Sequence, residues 1–234
     1  MRKLPILMYH NVTADSTKSV GLTISTAMLE QQFQYLVARG YKTVHFKEWK
    51  ELESEKDKVV ILTFDDVTVN QLEYAVPLLE KYNLKATFFI PFAYVGKTDE
   101  WNKGAEPLMN IEQLKGLDAR IELGYHSFYH RPYAKLSPEE ISEDFKLCNA
   151  FCAENQLEVF PVLAYPYGNF PKKEPLKTSF FAQMKKEGML FALRIGNKVN
   201  KSLTSNPYEL NRLDVKGEEP LWKFKLKLRF GKLF

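Results

Sequence analysis

The sequence predicts a single-domain α/β fold with a mainly parallel sheet. Short apolar runs rich in β-branched and aromatic residues alternate with segments of helical period, which is the pattern of successive βα units. The chain has 234 residues, 45% hydrophobic and 26% charged, enough to bury roughly 70–75% of its unfolded surface in one core. Disorder, collagen and coiled coil are excluded by the same composition.

In chain order, strands are expected at Pro5–Tyr9, Tyr41–Val44, Val59–Phe64, Ala86–Ile90, Ile121–Gly124, Val159–Tyr165, Leu190–Arg194 and Leu210–Val215. Helices are expected near 26–39, 46–55, 70–82, 110–117, 138–155 and 174–187. In the first, Met28, Phe33, Leu36 and Val37 form an apolar face and Gly40 is placed as a C-terminal stop. Ser137-Pro138-Glu139-Glu140 supplies an N-cap, a first-turn proline and an acid at the third position. Pro77 falls inside the third helix, where it costs about 3 kcal/mol unless the helix bends or begins late. Segments 96–110 and 195–209 read as long loops able to flank a cleft.

Cys148 and Cys152 are the only cysteines, which excludes a disulfide scaffold and leads us to expect a reducing, cytoplasmic setting. Arg2-Lys3 precedes an apolar run, Leu4–Met8, too short for a secretion leader, and no later run approaches the roughly 18 residues of a membrane span. The net charge of +4 is concentrated in residues 221–234, which hold Lys223, Lys225, Lys227, Arg229 and Lys232 without an acid. Residues 1–220 are close to neutral, which argues against a broad nucleic-acid surface. The domain is therefore divided into a body, 1–220, and a basic amphipathic tail, 221–234. In the tail, Trp222, Phe224, Leu226, Leu228 and Phe230 alternate with cations, the period of a strand. Such a strand either packs on the body or makes peripheral contact with an anionic membrane, at the inner face if the chain is cytoplasmic, where it would bring the site's mouth to a lipid-linked substrate.

Three strand ends carry residues able to do chemistry. Asp65-Asp66 follows a buried strand, where one acid could cap the next helix or both could serve a site. His126 and His130, four apart, would lie on one face of a helical turn, close enough to share a cation with a carboxylate. In Tyr165-Pro166-Tyr167-Gly168, proline fixes one torsion and glycine frees another, so a rigid turn can aim the Tyr167 N–H at a substrate oxygen.

In order and spacing these blocks resemble the polysaccharide deacetylases, carbohydrate esterase family 4 with the nodulation-type chitooligosaccharide deacetylase homology domain. Thr63-Phe64-Asp65-Asp66-Val67 resembles the family's Thr-Phe-Asp-Asp-Gly, and His126-Ser127-Phe128-Tyr129-His130 matches its His-Ser/Thr-x-x-His. Tyr165-Pro166-Tyr167-Gly168, Leu7-Met8-Tyr9-His10 and the stretch from Pro77 to Phe89 are similar too, so the resemblance spans residue 4 to about 215. It implies a distorted parallel (β/α) barrel of about seven strands. Asp66, His126 and His130 would hold a divalent metal, zinc first with cobalt or nickel as substitutes, and Asp65 would be the base. The substrate implied is an N-acetylated sugar in a glycan or glycolipid.

The chain also departs from the family. Val67 stands for glycine, and Ala164 stands for an arginine that many members use to orient the base. The late Leu-x-His motif has no counterpart, since His10 and His45 are the only other histidines. Asn211-Arg212-Leu213 is similar to a late segment of the poly-N-acetylglucosamine deacetylase branch, so Arg212 is expected to replace the missing arginine. Three groups could protonate the leaving amine: His10 at the end of the first strand, Asp65 returning the proton it took, or water; His10 is preferred because a near-neutral imidazole suits that step. The competing reading is a degenerate barrel that binds glycan without turnover.

Overall fold

The computed structural model describes residues 3–52 and 57–231. Its elements in order are β1 (Ile6–Tyr9), β2 (Asn11–Thr13), β3 (Thr23–Ser25), α1 (Thr26–Ala38), β4 (Tyr41–Thr43), α2 (Trp49–Leu52), β5 (Lys58–Asp65), α3 (Val76–Lys81), β6 (Ala86–Ile90), α4 (Ile111–Lys115), β7 (Ile121–Tyr125), α5 (Pro138–Glu154), β8 (Val162–Ala164), α6 (Leu176–Lys186), β9 (Phe191–Ile195), β10 (Leu210–Asp214) and α7 (Leu221–Phe230). Strands β1, β5, β6, β7, β8, β9 and β10 pair in that order, all parallel, and β10 returns to β1. The result is a closed seven-stranded barrel. β4 pairs only with the first residues of β5, and β2 pairs with β3 as a separate ribbon.

Strand period decides what enters the barrel. On β5, Val60, Leu62 and Phe64 pack outward under the helices with Leu29, Phe33 and Leu79, whereas Val59 and Ile61 join Ile6, Phe89, Val162, Leu193 and Leu210 inside. Thr63 and Asp65 share the parity of Val59 and Ile61, so the same alternation that fills the interior with aliphatics carries a carboxylate into its upper end. Phe89 fills the layer below the site, and Gly124 makes room for it: a Cβ at Gly124 would lie 2.6 Å from the Phe89 ring and 3.1 Å from Val162.

Local signals account for most helices. Ser25 and Ser137 cap α1 and α5, and Glu140 completes a capping box in the latter. α1 buries Leu29, Phe33 and Leu36, but Val37 stays exposed. Pro77 lies in the first turn of α3 because a π turn over Gln71–Ala75 precedes it, so the helix both bends and starts late. The expected helix 46–55 is a 3₁₀ turn, Phe46–Glu48, followed by α2; its residues 53–55 lie outside the described residues.

Three expectations are corrected. β2 and β3 were not anticipated; three residues each are too short for alternation to show. Loop 195–209 descends to the end of the barrel opposite the site, where Asn200 pairs with Leu4 and Leu203 packs inside. The tail is a helix rather than a strand. α7 buries Phe224, Lys227 and Leu228, one side of a helical turn, and Lys227 is drawn down by the Asp214 carbonyl at 2.7 Å and by the Asp214 and Glu219 carboxylates. Lys232 lies outside the described residues. Among the described residues, no helix is long and apolar enough to cross a membrane.

Because the Gly124 contact is with a ring packed on every side, Gly124→Ala is expected to destabilise by about 1–3 kcal/mol. Differential scanning calorimetry checks this, at roughly 2–4 °C of Tm per kcal/mol for a domain of this size.

Candidate metal centre and its carboxylate

All the candidate side chains arrive at the C-terminal rim of the barrel. Asp65 is the last residue of β5 and Asp66 turns away from it with φ 78°. Val67 follows at φ 46° while fully buried, an uncommon conformation for a β-branched residue and one the family's glycine would adopt freely. The turn is clamped from the 96–110 loop: Met109 N–H donates to the Val67 carbonyl at 2.9 Å and Val69 N–H to the Pro107 carbonyl at 2.8 Å. These bonds hold a conformation that costs of order 1–3 kcal/mol.

His126 follows β7 directly. The segment from His126 to His130 is not the helical turn that the four-residue spacing suggests; it is a loop with Ser127 at φ 62° and His130 at φ 52°. The two imidazoles nonetheless meet, with their Nε2 atoms 3.2 Å apart. Asp66 Oδ1 lies 3.4 Å from His126 Nε2 and 3.5 Å from His130 Nε2. A point equidistant from three atoms so spaced is roughly 2 Å from each, the length of a zinc–nitrogen or zinc–oxygen bond. Asp66 Oδ1 is buried and accepts no hydrogen bond. Burial, with the neighbouring Asp65 and Asp99 charges, holds the Asp66 carboxyl well above the usual range. Burial also lowers both imidazoles, keeping them neutral as metal ligation requires. His126 Nδ1–H donates to the Ala164 carbonyl at 2.7 Å, which presents Nε2 to the centre. An orphaned carboxylate oxygen and two neutral imidazole nitrogens are a donor set that fits a divalent cation.

Asp65 faces this triad from inside the barrel, its Oδ2 3.9 Å from His126 Nε2. Arg212, on β10, grips it in a fork, NH1 to Oδ1 at 2.5 Å and NH2 to Oδ2 at 2.8 Å, with both side chains almost completely buried. Burial pushes the Asp65 carboxyl up, but the Arg212 guanidinium, with His126 and His10, outweighs it and holds the group well below the usual range. A guanidinium thus reaches Asp65 from β10, whereas position 164 carries alanine. His10 stands at the same rim with Nε2 3.6 Å from Asp65 Oδ2. Its imidazole is not near-neutral in pKa: burial lowers it to about 4. Tyr167 lies at φ 58° in the Pro166–Gly168 turn, its ring edge-on to His130 at 4.9 Å. Gly168, at φ 61°, packs against Ile195 so closely that a Cβ would stand 2.9 Å from the Ile195 nitrogen.

Two supporting residues escaped the sequence reading. Trp101 stacks on His130, centroids 4.0 Å apart and planes at 21°, on a loop braced by Asp99, which accepts from Glu106 N–H and Asn102. Asp144 of α5 is buried and accepts from Phe128 N–H at 3.0 Å and the Tyr133 hydroxyl at 2.7 Å, pinning the histidine loop to the helix. Trp101 looked like an ordinary loop aromatic. For Asp144 there was a signal, an acid at the apolar position between Ile141 and Phe145 on the inward side of α5.

The site is thus an Asp-His-His cluster able to hold a metal ion, set at the C-terminal rim of a closed parallel barrel. The chain belongs to the polysaccharide deacetylase family, whose model matches residues 53–180. It is 25% identical over 213 residues to the poly-beta-1,6-N-acetyl-D-glucosamine N-deacetylase of Staphylococcus epidermidis, covering 84% of this chain and 70% of that one. YxkH of Bacillus subtilis, named provisionally as a polysaccharide deacetylase, is 26% identical over 182 residues, 76% of this chain; the chain spans 61% of that relative's length. Among solved structures, the Streptococcus pyogenes deacetylase PplD in complex with acetate superposes with a TM-score of 0.81 at 21% identity, over 97% of this chain and 98% of that one. IcaB from Ammonifex degensii gives 0.76 at 23% identity, over 92% and 93%.

Zinc titration with a competing chelator is expected to show that Asp66→Asn, His126→Ala and His130→Ala each weaken affinity by more than the roughly 10–100-fold typical of losing an outer-shell partner. Unchanged affinity in any of them removes that residue from the centre. Arg212→Leu strands the Asp65 charge in the barrel and is expected to cost about 3–5 kcal/mol in urea unfolding. Asp65 has a folded-state pKa below its unfolded value, so this contribution is complete above about pH 4 and fades as pH falls below it.

Proposed function

We propose that this chain is a divalent-metal-dependent deacetylase that hydrolyses the acetamide of an N-acetylated sugar in a glycan or glycolipid. The observation that carries the reading is the meeting of the Asp66–His126–His130 triad with a second, differently held carboxylate, Asp65, at one barrel rim. Two imidazoles and one carboxylate, leaving room for an outside ligand, are a catalytic zinc donor set, and cobalt or nickel suit the same donors. A cation bound there supplies Lewis acidity and makes water more acidic.

The chain's own groups supply the rest. Asp65 stays ionised, and the Arg212 fork fixes its orientation at some cost in basicity, so Oδ2 accepts the proton of the attacking water. The oxygen adds to the acetamide carbon, and the Tyr167 N–H donates to the carbonyl oxygen as it gains charge. Collapse breaks the C–N bond, and the departing amine takes up a proton. His10 is neutral at pH 7 and therefore serves as a relay, receiving at Nε2 the proton that Asp65 Oδ2 has taken and returning it to the amine. Acetate and the free amino sugar leave.

Two of the departures that spoke for a binding-only barrel weigh less beside the geometry. Val67 adopts the positive φ its glycine counterpart would take, and Arg212 makes the bond to Asp65 that the missing arginine would have made.

Acetate release from N-acetylhexosamine oligosaccharides, measured with and without added zinc, tests the reading; no release with any metal or oligosaccharide overturns it. Asp65→Asn is expected to keep metal and fold while slowing turnover by roughly 10²–10⁴-fold. Wild-type rates in that variant would remove Asp65 as base. His10→Ala should retain metal and lose activity most where release of the amine limits the rate; an unaltered pH profile returns the donor role to Asp65 or solvent.

A further inference from the structure

We propose that the face formed by α1 and α7 docks the protein on an anionic lipid bilayer. The inference goes beyond the deacetylase reading and does not depend on it.

α7 spends Phe224, Leu228 and Lys227 on the barrel, and it turns Trp222, Lys223, Lys225, Arg229 and Phe230 outward. Trp222 is 56% exposed and Phe230 51%. Trp222, Lys225 and Arg229 follow one another at helical spacing along a single stripe. α1 lies alongside, joined through Tyr35, whose ring meets Phe224 edge-on at 6.3 Å. Cations gather over the rings of this face: Arg39 and Lys225 at 5.6 and 5.0 Å from Tyr35, Lys58 at 5.9 Å from Tyr41, Lys3 and Arg229 at 5.0 and 5.2 Å from Phe230. Among the described residues, none of Lys3, Arg39, Lys58, Lys223, Lys225 and Arg229 forms an ion pair with a carboxylate.

Like charges collected without counter-charge repel one another, so the face is complementary to something anionic. The exposed tryptophan and phenylalanine decide what. Ring and cation on one helix suit the boundary of a bilayer, where the ring enters the acyl edge and the cation meets the headgroup. A polyanion in solution engages the cations and gives Trp222 and Phe230 no apolar contact.

The placement also sets an orientation. α1 leaves the β2–β3 ribbon at the site-bearing rim and leads down to β4, and α7 descends from β10 until Lys3, just before β1, donates to the Arg229 carbonyl at 2.7 Å. Lys3, Arg39, Lys58 and Arg229 therefore lie toward the barrel end remote from the metal centre. A bilayer on this face leaves the mouth turned to water, open to a glycan arriving through solvent, the reverse of a tail that presses the mouth to the membrane.

Flotation of the full chain with vesicles of phosphatidylcholine alone, or phosphatidylcholine mixed with phosphatidylglycerol, at low and high salt, tests the proposal. Binding is expected only to the anionic vesicles and is expected to fall with salt. Each cation near such a leaflet is worth roughly fivefold in partitioning, so Lys225→Glu with Arg229→Glu should reduce it by at least about 25-fold. Lys115→Glu with Lys185→Glu, exposed on other helices, should bind as wild type. Zinc affinity and the thermal midpoint must be unchanged in each variant, which separates a lost surface from a lost fold. Equal partitioning of the reversed and wild-type chains, no binding to either vesicle, or binding to heparin with none to vesicles overturns the proposal. Acetate release from soluble oligosaccharides is expected to be unaffected throughout, so failure here leaves the deacetylase reading standing.

Discussion

The upper half of this barrel depends on one buried ion pair. Period two sends Thr63 and Asp65 inward from β5, and it sends Arg212 inward from β10, with β1 between the two strands. A carboxylate alone in that position would be neutralised or expelled, because desolvation outweighs any gain from packing. With both oxygens held by a planar fork, Asp65 remains charged, oriented and dry, and the surrounding groups are arranged about a fixed negative charge. Lysine could supply the charge but not the two parallel bonds that define the plane of the carboxylate.

Asp66 presents the complementary case. Adjacent in sequence, it receives no cation from the protein, and its inward oxygen has no donor. The backbone reversal at Asp66 and Val67 separates the two acids, giving one a guanidinium and the other a pair of neutral imidazoles. Left-handed residues recur at every turn that contributes to the centre: Asp66 and Val67, Ser127 and His130, Tyr167. Each is strained, and each is held by something rigid behind it, whether the 96–110 loop, Asp144 on α5 or the close approach of Gly168 to Ile195. Strain and bracing together mean that the donor atoms of Asp66, His126 and His130 are held in place by the protein alone.

Much of this was readable in the residues, and the exceptions have physical causes. β5 and its acids were legible because eight residues of a doubly buried strand leave a strong apolar signature. The pairing of His126 with His130 was correct for a reason other than the one spacing suggests; positive φ at two positions closes the loop, and nothing in the side chains reports that. Trp222–Phe230 misled because apolar residues at every second position satisfy a strand, while Phe224 and Leu228 alone also satisfy one face of a helix. What selects the helix is the burial of Lys227 between Asp214 and Glu219, a contact with residues before the segment, invisible to any window drawn around it. Tertiary context overrode local period there.

The distribution of charge ties these features together. At the mouth Asp65 is matched by Arg212 while Asp66 Oδ1 has no donor, and around α7 and the adjoining edge of α1 six cations lack a carboxylate partner among the described residues. The two features differ in reach: Asp66 is recessed, only 13% of its side chain being exposed, so a small ion fits where a lysine on another molecule cannot enter. The basic face, by contrast, is broad and shallow, and only an extended anionic surface can engage it as a whole.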